Sequence, residues 1–92
     1  MPTPQENAQM VARGNRVKDF IESDDWKAAR RVAQAHVVGR WKNAATVPER
    51  EAAHALMWAL EGIEDVFAAM LQDGAVAQDT ITRERKANDE AL

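Results

Sequence analysis

Glu51 and His54 are the two residues whose types and spacing come nearest to metal or catalytic chemistry. At positions i and i+3 of a helix they share a face, and Glu-x-x-His supplies metal ligands in ferritin-like di-iron bundles. Such a site also needs carboxylates from a facing helix. The preceding helical segment offers only Asp24 and Asp25, both at its start. The sequence therefore predicts no metal site, and Glu51 and His54 are interpreted as polar positions on the first turn of a helix.

The remaining polar residues do not assemble a catalytic set. His36 and His54 lie on different predicted helices, with no placed carboxylate or nucleophile beside them. Thr3, Ser23 and Thr46 stand where helix capping explains them. The absence of cysteine from the sequence removes disulfides, thiolate chemistry and Cys-ligated zinc. No P-loop, nucleophile-elbow or dinucleotide-binding motif occurs. We predict a protein that is not an enzyme and that binds no cofactor.

Basic residues near the middle of the chain are candidate nucleic-acid contacts. Lys27, Arg30 and Arg31 form one patch at helical spacing, and cations that neutralise phosphates dominate non-specific DNA binding. The whole chain nevertheless has a net charge of −3, and no helix-turn-helix pattern accompanies the patch. The alternative interpretation is a solvated face that pairs with an acidic helix. Residues 24–44 carry five basic and two acidic side chains, and residues 47–74 carry one basic and six acidic ones.

The composition favours helices around a thin core. Hydrophobic residues make up 46% of the 92 residues, but eighteen of them are alanine. A chain this short buries a modest core, so we expect self-association to complete it. No apolar run approaches the roughly 18 residues of a membrane span, and the first residues lack the pattern of a signal peptide. We therefore expect no membrane partner.

Capping signals predict where the helices begin and end. A Thr-x-x-Glu capping box stands at Thr3 and again at Thr46, and Ser23 followed by two aspartates is a third start signal. Gly74 suits the left-handed residue that ends many helices. The prediction is an all-α fold, namely an antiparallel helical hairpin with an additional N-terminal helix and a polar C-terminal tail or short helix. In chain order, the predicted helices span about 4–22, 24–44 and 47–73, followed by a tail at 75–92, in a single domain of residues 1–92.

Apolar periodicity predicts which helix faces pack. On the second helix, the apolar stripe comprises Trp26, Ala29, Ala33, Val37, Trp41 and Ala44. On the third helix, a heptad seam comprises Ala53, Leu56, Leu60, Ile63, Phe67 and Met70. Trp58 lies off this seam, so it is predicted to contact another subunit or partner, with Met57 as adaptable filler. The predicted protein interface comprises Leu56, Met57, Trp58, Leu60, Ile63, Phe67 and Met70.

The hairpin resembles a loose family of small helical-hairpin proteins from tailed phages and prophages, over roughly residues 12–78. Its pattern is an aromatic-led helix ending in Trp, a Thr-containing turn, Glu-Arg-Glu opening a long helix, and Asp-Gly followed by Ala. Those features stand here at Trp26, Trp41, Thr46, Glu49-Arg50-Glu51, Asp73-Gly74 and Ala77. The resemblance implies a phage-encoded protein of the virion or the host cytoplasm, with no catalytic residues.

Three functional hypotheses follow for the chain. The first is a non-enzymatic structural or assembly protein that binds copies of itself, phage virion proteins, or both through its helices. The second is a phage-encoded inhibitor or host-directed binding module, and the third is a DNA-packaging or nucleic-acid-binding protein. The sequence does not separate the first two.

Overall fold

The computed structural model describes residues 1–91 and is all-α, as predicted. Its helices are α1 (Pro4–Glu22), α2 (Asp24–Lys42) and α3 (Val47–Ala91). The chain forms two compact units. One joins residues 1–20 to the chain from Phe67 onward, and the other comprises Ile21–Val66. The long helix α3 therefore contributes its first part to the 21–66 unit and its second part to the terminal unit.

Three hydroxyl caps begin the helices, which confirms the capping prediction. Each hydroxyl oxygen accepts a hydrogen bond from the backbone N–H three residues later. The pairs are Glu6 N to Thr3 Oγ1 at 3.1 Å, Trp26 N to Ser23 Oγ at 3.2 Å, and Glu49 N to Thr46 Oγ1 at 3.3 Å. Ser23 has an extended backbone, with φ −68° and ψ 147°, so it ends the helical path of α1 before α2 begins.

The predicted end of the third helix is wrong, whereas that of the second is correct to within two residues. Helix α2 ends at Lys42 with Asn43 as its C-cap, and its predicted end was about 44. Helix α3 does not stop at Gly74, but continues as one helix to Ala91. The predicted tail at 75–92 is therefore helical as far as the structure describes it, and Leu92 lies outside the described residues.

Gly74 is a contact residue in the terminal unit, where α1 packs against the second part of α3. No glycine among residues 1–91 has a positive φ, so Gly74 is not a left-handed helix end. It is buried, and a Cβ built on it would lie 3.2 Å from the Cα of Gly14 and 3.1 Å from the carbonyl oxygen of Met10. The two glycines thus let the backbones of α1 and α3 approach more closely than side chains allow. Gly14, which by propensity weakens α1, is the other half of this contact.

The terminal unit is antiparallel. Phe20, near the end of α1, packs edge-to-face on Phe67 with ring centroids 5.7 Å apart, whereas Gly14 meets Gly74 further along α3. Within residues 1–91, the buried residues of this unit besides the two glycines are Ala77, which is 2% exposed, and Asn7, which is 4% exposed.

The 21–66 unit is the predicted antiparallel hairpin of α2 with the first part of α3. Arg30 pairs with Glu64, near the far end of that segment, while Val37 lies with Ala53 close to the turn. Val37 is 6% exposed and Ala53 1% exposed, and these are the buried residues of the unit.

The predicted packing faces are correct in part. On α3, Leu60, Phe67 and Met70 are half-buried, but Leu56 and Ile63 are exposed. Within the hairpin, their places against α2 are taken by Met57 and Glu64. On α2, three members of the predicted stripe are exposed, namely Ala29, Ala33 and Trp41. Leu56 and Ile63 were misplaced because a polar residue, Glu64, holds a contact position that an apolar pattern does not reveal.

Candidate interaction surface

The 21–66 unit exposes more large apolar side chains than it buries. Two helices packed along one line each cover a single stripe of the other, so their remaining apolar residues face solvent. The exposed large apolar residues of this unit are Val32, Val38, Trp41, Val47, Leu56, Trp58, Ile63 and Val66. Such a surface is typical of an interaction site. Its members lie on two sides of the hairpin.

The first side is an apolar groove, here called the Trp groove. A cavity of about 220 Å³ is lined by Val37, Val38, Trp41, Ala53, His54 and Met57. Trp41 is 57% exposed, so its ring borders the cavity and also meets solvent. Trp58, one turn beyond His54, is 69% exposed, and the two rings lie with centroids 5.6 Å apart and tilted by 45°. The structure thus gives His54 an aromatic neighbour and places Met57 in the groove.

The second side is a heptad stripe on α3, here called the outer seam. It comprises Ala52, Leu56, Ala59, Ile63 and Val66, which are all exposed. Their spacing of 4, 3, 4 and 3 is that of coiled-coil core positions. Sequence reasoning missed this set because it joined Leu56 and Ile63 to the neighbouring column of Ala53 and Leu60. The available signal was the width of the apolar face, since three adjacent heptad columns of α3 are apolar and one partner helix covers about two.

Helical geometry separates the two sides. A step of four residues rotates a helix position by about +40° and a step of three by about −60°. On α3, Met57 is therefore displaced from Ala53 toward the Trp groove and Leu56 toward the opposite side. On α2, Trp41 is likewise displaced from Val37 toward the groove, and Ala33, one turn before Val37, lies on the opposite side. The exposed residues Ala29, Val32 and Ala33 of α2 thus flank the outer seam.

Of the predicted nucleic-acid contacts, Arg30 is engaged within the hairpin. Its Nε donates to Glu64 Oε1 and its Nη2 to Glu64 Oε2 at 3.2 Å. This hydrogen bonding, with the attraction between the two charges, raises the pKa of the Arg30 guanidinium above its ordinary value. Lys27 and Arg31 are exposed and make no ion pair with residues 1–91. The patch therefore offers two uncommitted cations rather than three.

The two histidines lie at separate places in the hairpin. His36 lines a polar cavity with Arg40, Asn43 and Glu49, whereas His54 lines the Trp groove. Glu51 is exposed. Within residues 1–91, no group of three or more His, Cys, Asp or Glu side chains is arranged to hold a metal ion. Over the same range, none of the helices combines the length and apolarity needed to cross a membrane.

Comparison with protein-family models found no match, and comparisons with curated proteins and with solved structures likewise found none.

Proposed function

We propose that this chain is a non-enzymatic assembly protein of a tailed phage, which works by binding helix to helix with other copies or with a larger particle. The observation that carries the proposal is the imbalance of the 21–66 unit. It buries Val37 and Ala53 but leaves Trp58 69%, Ile63 49% and Val66 51% exposed. Apolar area removed from water is stabilising by roughly 25 cal/mol per Å², so a surface of this kind favours association. The resemblance of the hairpin to small phage proteins supports the phage setting.

The predicted interface residues support the proposal unequally. Trp58, Leu56 and Ile63 are exposed and available to a partner, and Met57 lines the Trp groove. Leu60, Phe67 and Met70 are half-buried against the chain's own helices and serve the fold first. Large aromatic residues that meet a partner in a desolvated pocket commonly dominate binding energy. Trp58 and Trp41 are the exposed large aromatic residues of the 21–66 unit.

The experiment is to follow a tagged chain through particle assembly in cells that produce the phage. Lysates are separated by sedimentation, and the fractions of virions, assembly intermediates and free protein are probed for the tag. We expect the chain in the virions or the intermediates. A chain that stays wholly in the free fraction, bound to neither, contradicts the proposal.

A host-directed binding module is the second candidate, and the Trp groove favours it. An apolar groove beside two exposed tryptophans suits the apolar face of a partner helix. This candidate predicts a free-fraction complex with one host protein, and loss of that complex in Trp58→Ala. The Val76→Ala variant, which alters an exposed residue of the terminal unit, is its control.

Nucleic-acid binding is the third candidate, and its support is the exposure of Lys27 and Arg31. It predicts an affinity for DNA that falls steeply as salt rises. Reversing both charges should abolish this affinity in a filter-binding or anisotropy titration, and Arg30 is left in place because it pairs with Glu64 within the hairpin. A salt-independent signal, or one that survives the double reversal, contradicts it.

A further inference from the structure

We infer that the outer seam is covered by a second copy of this chain, so that two 21–66 hairpins close a four-helix bundle. In this bundle α3 of each copy lies antiparallel against α2 of the other, and the two α3 helices stand on a diagonal. The inference rests on the proposed function in that it names the partner and the face through which the assembly protein associates. Ala52, Leu56, Ala59, Ile63 and Val66 become core positions of the bundle.

The chain exposes more surface than is expected for a folded monomeric protein of its mass. The chain exposes 7197 Å². A folded monomeric protein of 10.2 kDa exposes about 5,300 Å², by the scaling of accessible surface with mass. The excess of about 1,900 Å² is summed over both units of the chain and exceeds the ~800 Å² per partner of a standard complex. A contact of standard size on the outer seam therefore covers part of it.

The spacing of the outer seam specifies a helix as the occupant. Five consecutive heptad core positions are apolar and exposed over residues 52–66. A helix that packs there inserts its own residues between those of the seam, and the alternation of Ala59 with Leu56 and Ile63 offers small and large positions in turn. An extended segment, whose side chains repeat every second residue, does not match steps of three and four.

Charge selects which helix of the second copy lies on the seam. Apart from the Arg30–Glu64 pair, residues 47–66 of α3 carry four acidic side chains and one basic, and residues 24–42 of α2 carry four basic and two acidic. Packed helices lie about 8–10 Å apart, which is within the ~10 Å Debye length at 0.1 M salt. An α3–α3 pair would set acid against acid, whereas an α3–α2 pair sets acid against base. The neighbouring surface of α2, with Ala29, Val32 and Ala33 exposed, is apolar enough to receive the seam.

Two-fold symmetry makes this arrangement self-consistent. A two-fold axis parallel to the helices places α3 of the first copy on α2 of the second, and by the same rotation α3 of the second copy on α2 of the first. Each hairpin then buries its outer seam and its α2 flank together. The Trp groove, on the opposite side of each hairpin, stays open in the dimer.

The experiment is light scattering coupled to size exclusion over a hundredfold concentration range, with matched substitutions on α3. Val66→Glu places a charge in the outer seam, and Val76→Glu places the same charge at a similarly exposed valine of the same helix in the terminal unit, where the exposures are 51% and 60%. We expect the unaltered chain and Val76→Glu to run as dimers. We expect Val66→Glu and Ile63→Glu to raise the dissociation constant at least tenfold, with helicity by circular dichroism preserved because both side chains are exposed in the single chain.

The outcomes separate this inference from the function on which it rests. If the unaltered chain is a dimer that Val66→Glu leaves intact and Trp58→Glu dissociates, the seam assignment is overturned and the assembly function stands. If the unaltered chain is a monomer that still sediments with virions or intermediates, the second copy is overturned and the assembly function again stands. A monomer found only in the free fraction overturns both.

Discussion

Alanine at Gly74 tests the close approach of α1 and α3. A methyl group added there would lie 3.1 Å from the carbonyl oxygen of Met10 and 3.2 Å from the Cα of Gly14. Both neighbours are backbone atoms, which have no rotamer by which to move away. Gly62, in the same helix, is the matched control, because a Cβ built there meets nothing within 4 Å.

The expected magnitudes follow from two opposing effects. Replacing glycine by alanine inside a helix stabilises by about 0.5–1 kcal/mol, through the lower entropy of the unfolded chain. Gly62→Ala should show this gain alone. At Gly74 the gain is opposed by overpacking, which typically costs about 1–3 kcal/mol. We therefore expect Gly74→Ala to have a free energy of unfolding about 1–3 kcal/mol below that of Gly62→Ala.

The assay is thermal unfolding by circular dichroism, with both variants at one protein concentration because association raises apparent stability. In a chain of this size each kcal/mol corresponds to about 4–8 °C in melting temperature. Gly74→Ala should thus melt at least about 4 °C below Gly62→Ala. Equal melting temperatures would refute the reasoning, since they would mean that the two helices separate freely to admit a methyl group.

Three further substitutions test the caps, the core and the ion pair. Ser23→Ala should lower the free energy of unfolding by about 1 kcal/mol because the first turn of α2 loses its cap, and Ser23→Asp should restore it in urea titrations. Val37→Ala should cost about 1.5–2.5 kcal/mol because it removes two buried methyl groups. Val76→Ala, at a residue 60% exposed in the terminal unit, should stay within about 0.5 kcal/mol of the unaltered chain, and similar losses for both would contradict the assigned core. Arg30→Glu should lower the melting temperature at low salt because it places two carboxylates opposite each other. The double variant Arg30→Glu, Glu64→Arg should recover the melting temperature because the exchanged pair restores the attraction. No recovery would show that the pair does not orient the hairpin.

Local signals predicted the fold class and the helix starts well. Thr3, Ser23 and Thr46 act on backbone groups three residues away, so their effect depends on neighbouring sequence alone. The hairpin itself was also predictable, because a capped turn with Pro48 joins two helices that each carry an apolar face.

The residues that sequence reasoning misplaced depend on contacts distant in the chain. Glycine at position 74 is typical of a helix end, but here it is required by the close approach of Gly14, which lies sixty positions earlier. No pattern in the neighbouring sequence indicates that contact. The sequence likewise predicts Glu64 to be a surface residue, because its pairing with Arg30 depends on how the two helices pack. The outer seam was hidden for a related reason. Periodicity reports that a face is apolar, but not which of two adjacent columns its own chain covers.

We expect the 21–66 unit to fold before the terminal unit. The 21–66 unit is continuous in sequence, and its ion pair joins residues 34 positions apart. The terminal unit forms only when α1 meets the second part of α3, because Gly14 contacts Gly74 and Phe20 contacts Phe67. During synthesis the hairpin has all of its residues before the partner of α1 has been made. Because closing the longer loop also costs more entropy, we expect pulse-labelled hydrogen exchange to protect α2 before α1. An α1 protected first would contradict this order. Helix α1 is synthesised before α2 and α3, but it should be the last of the three to pack.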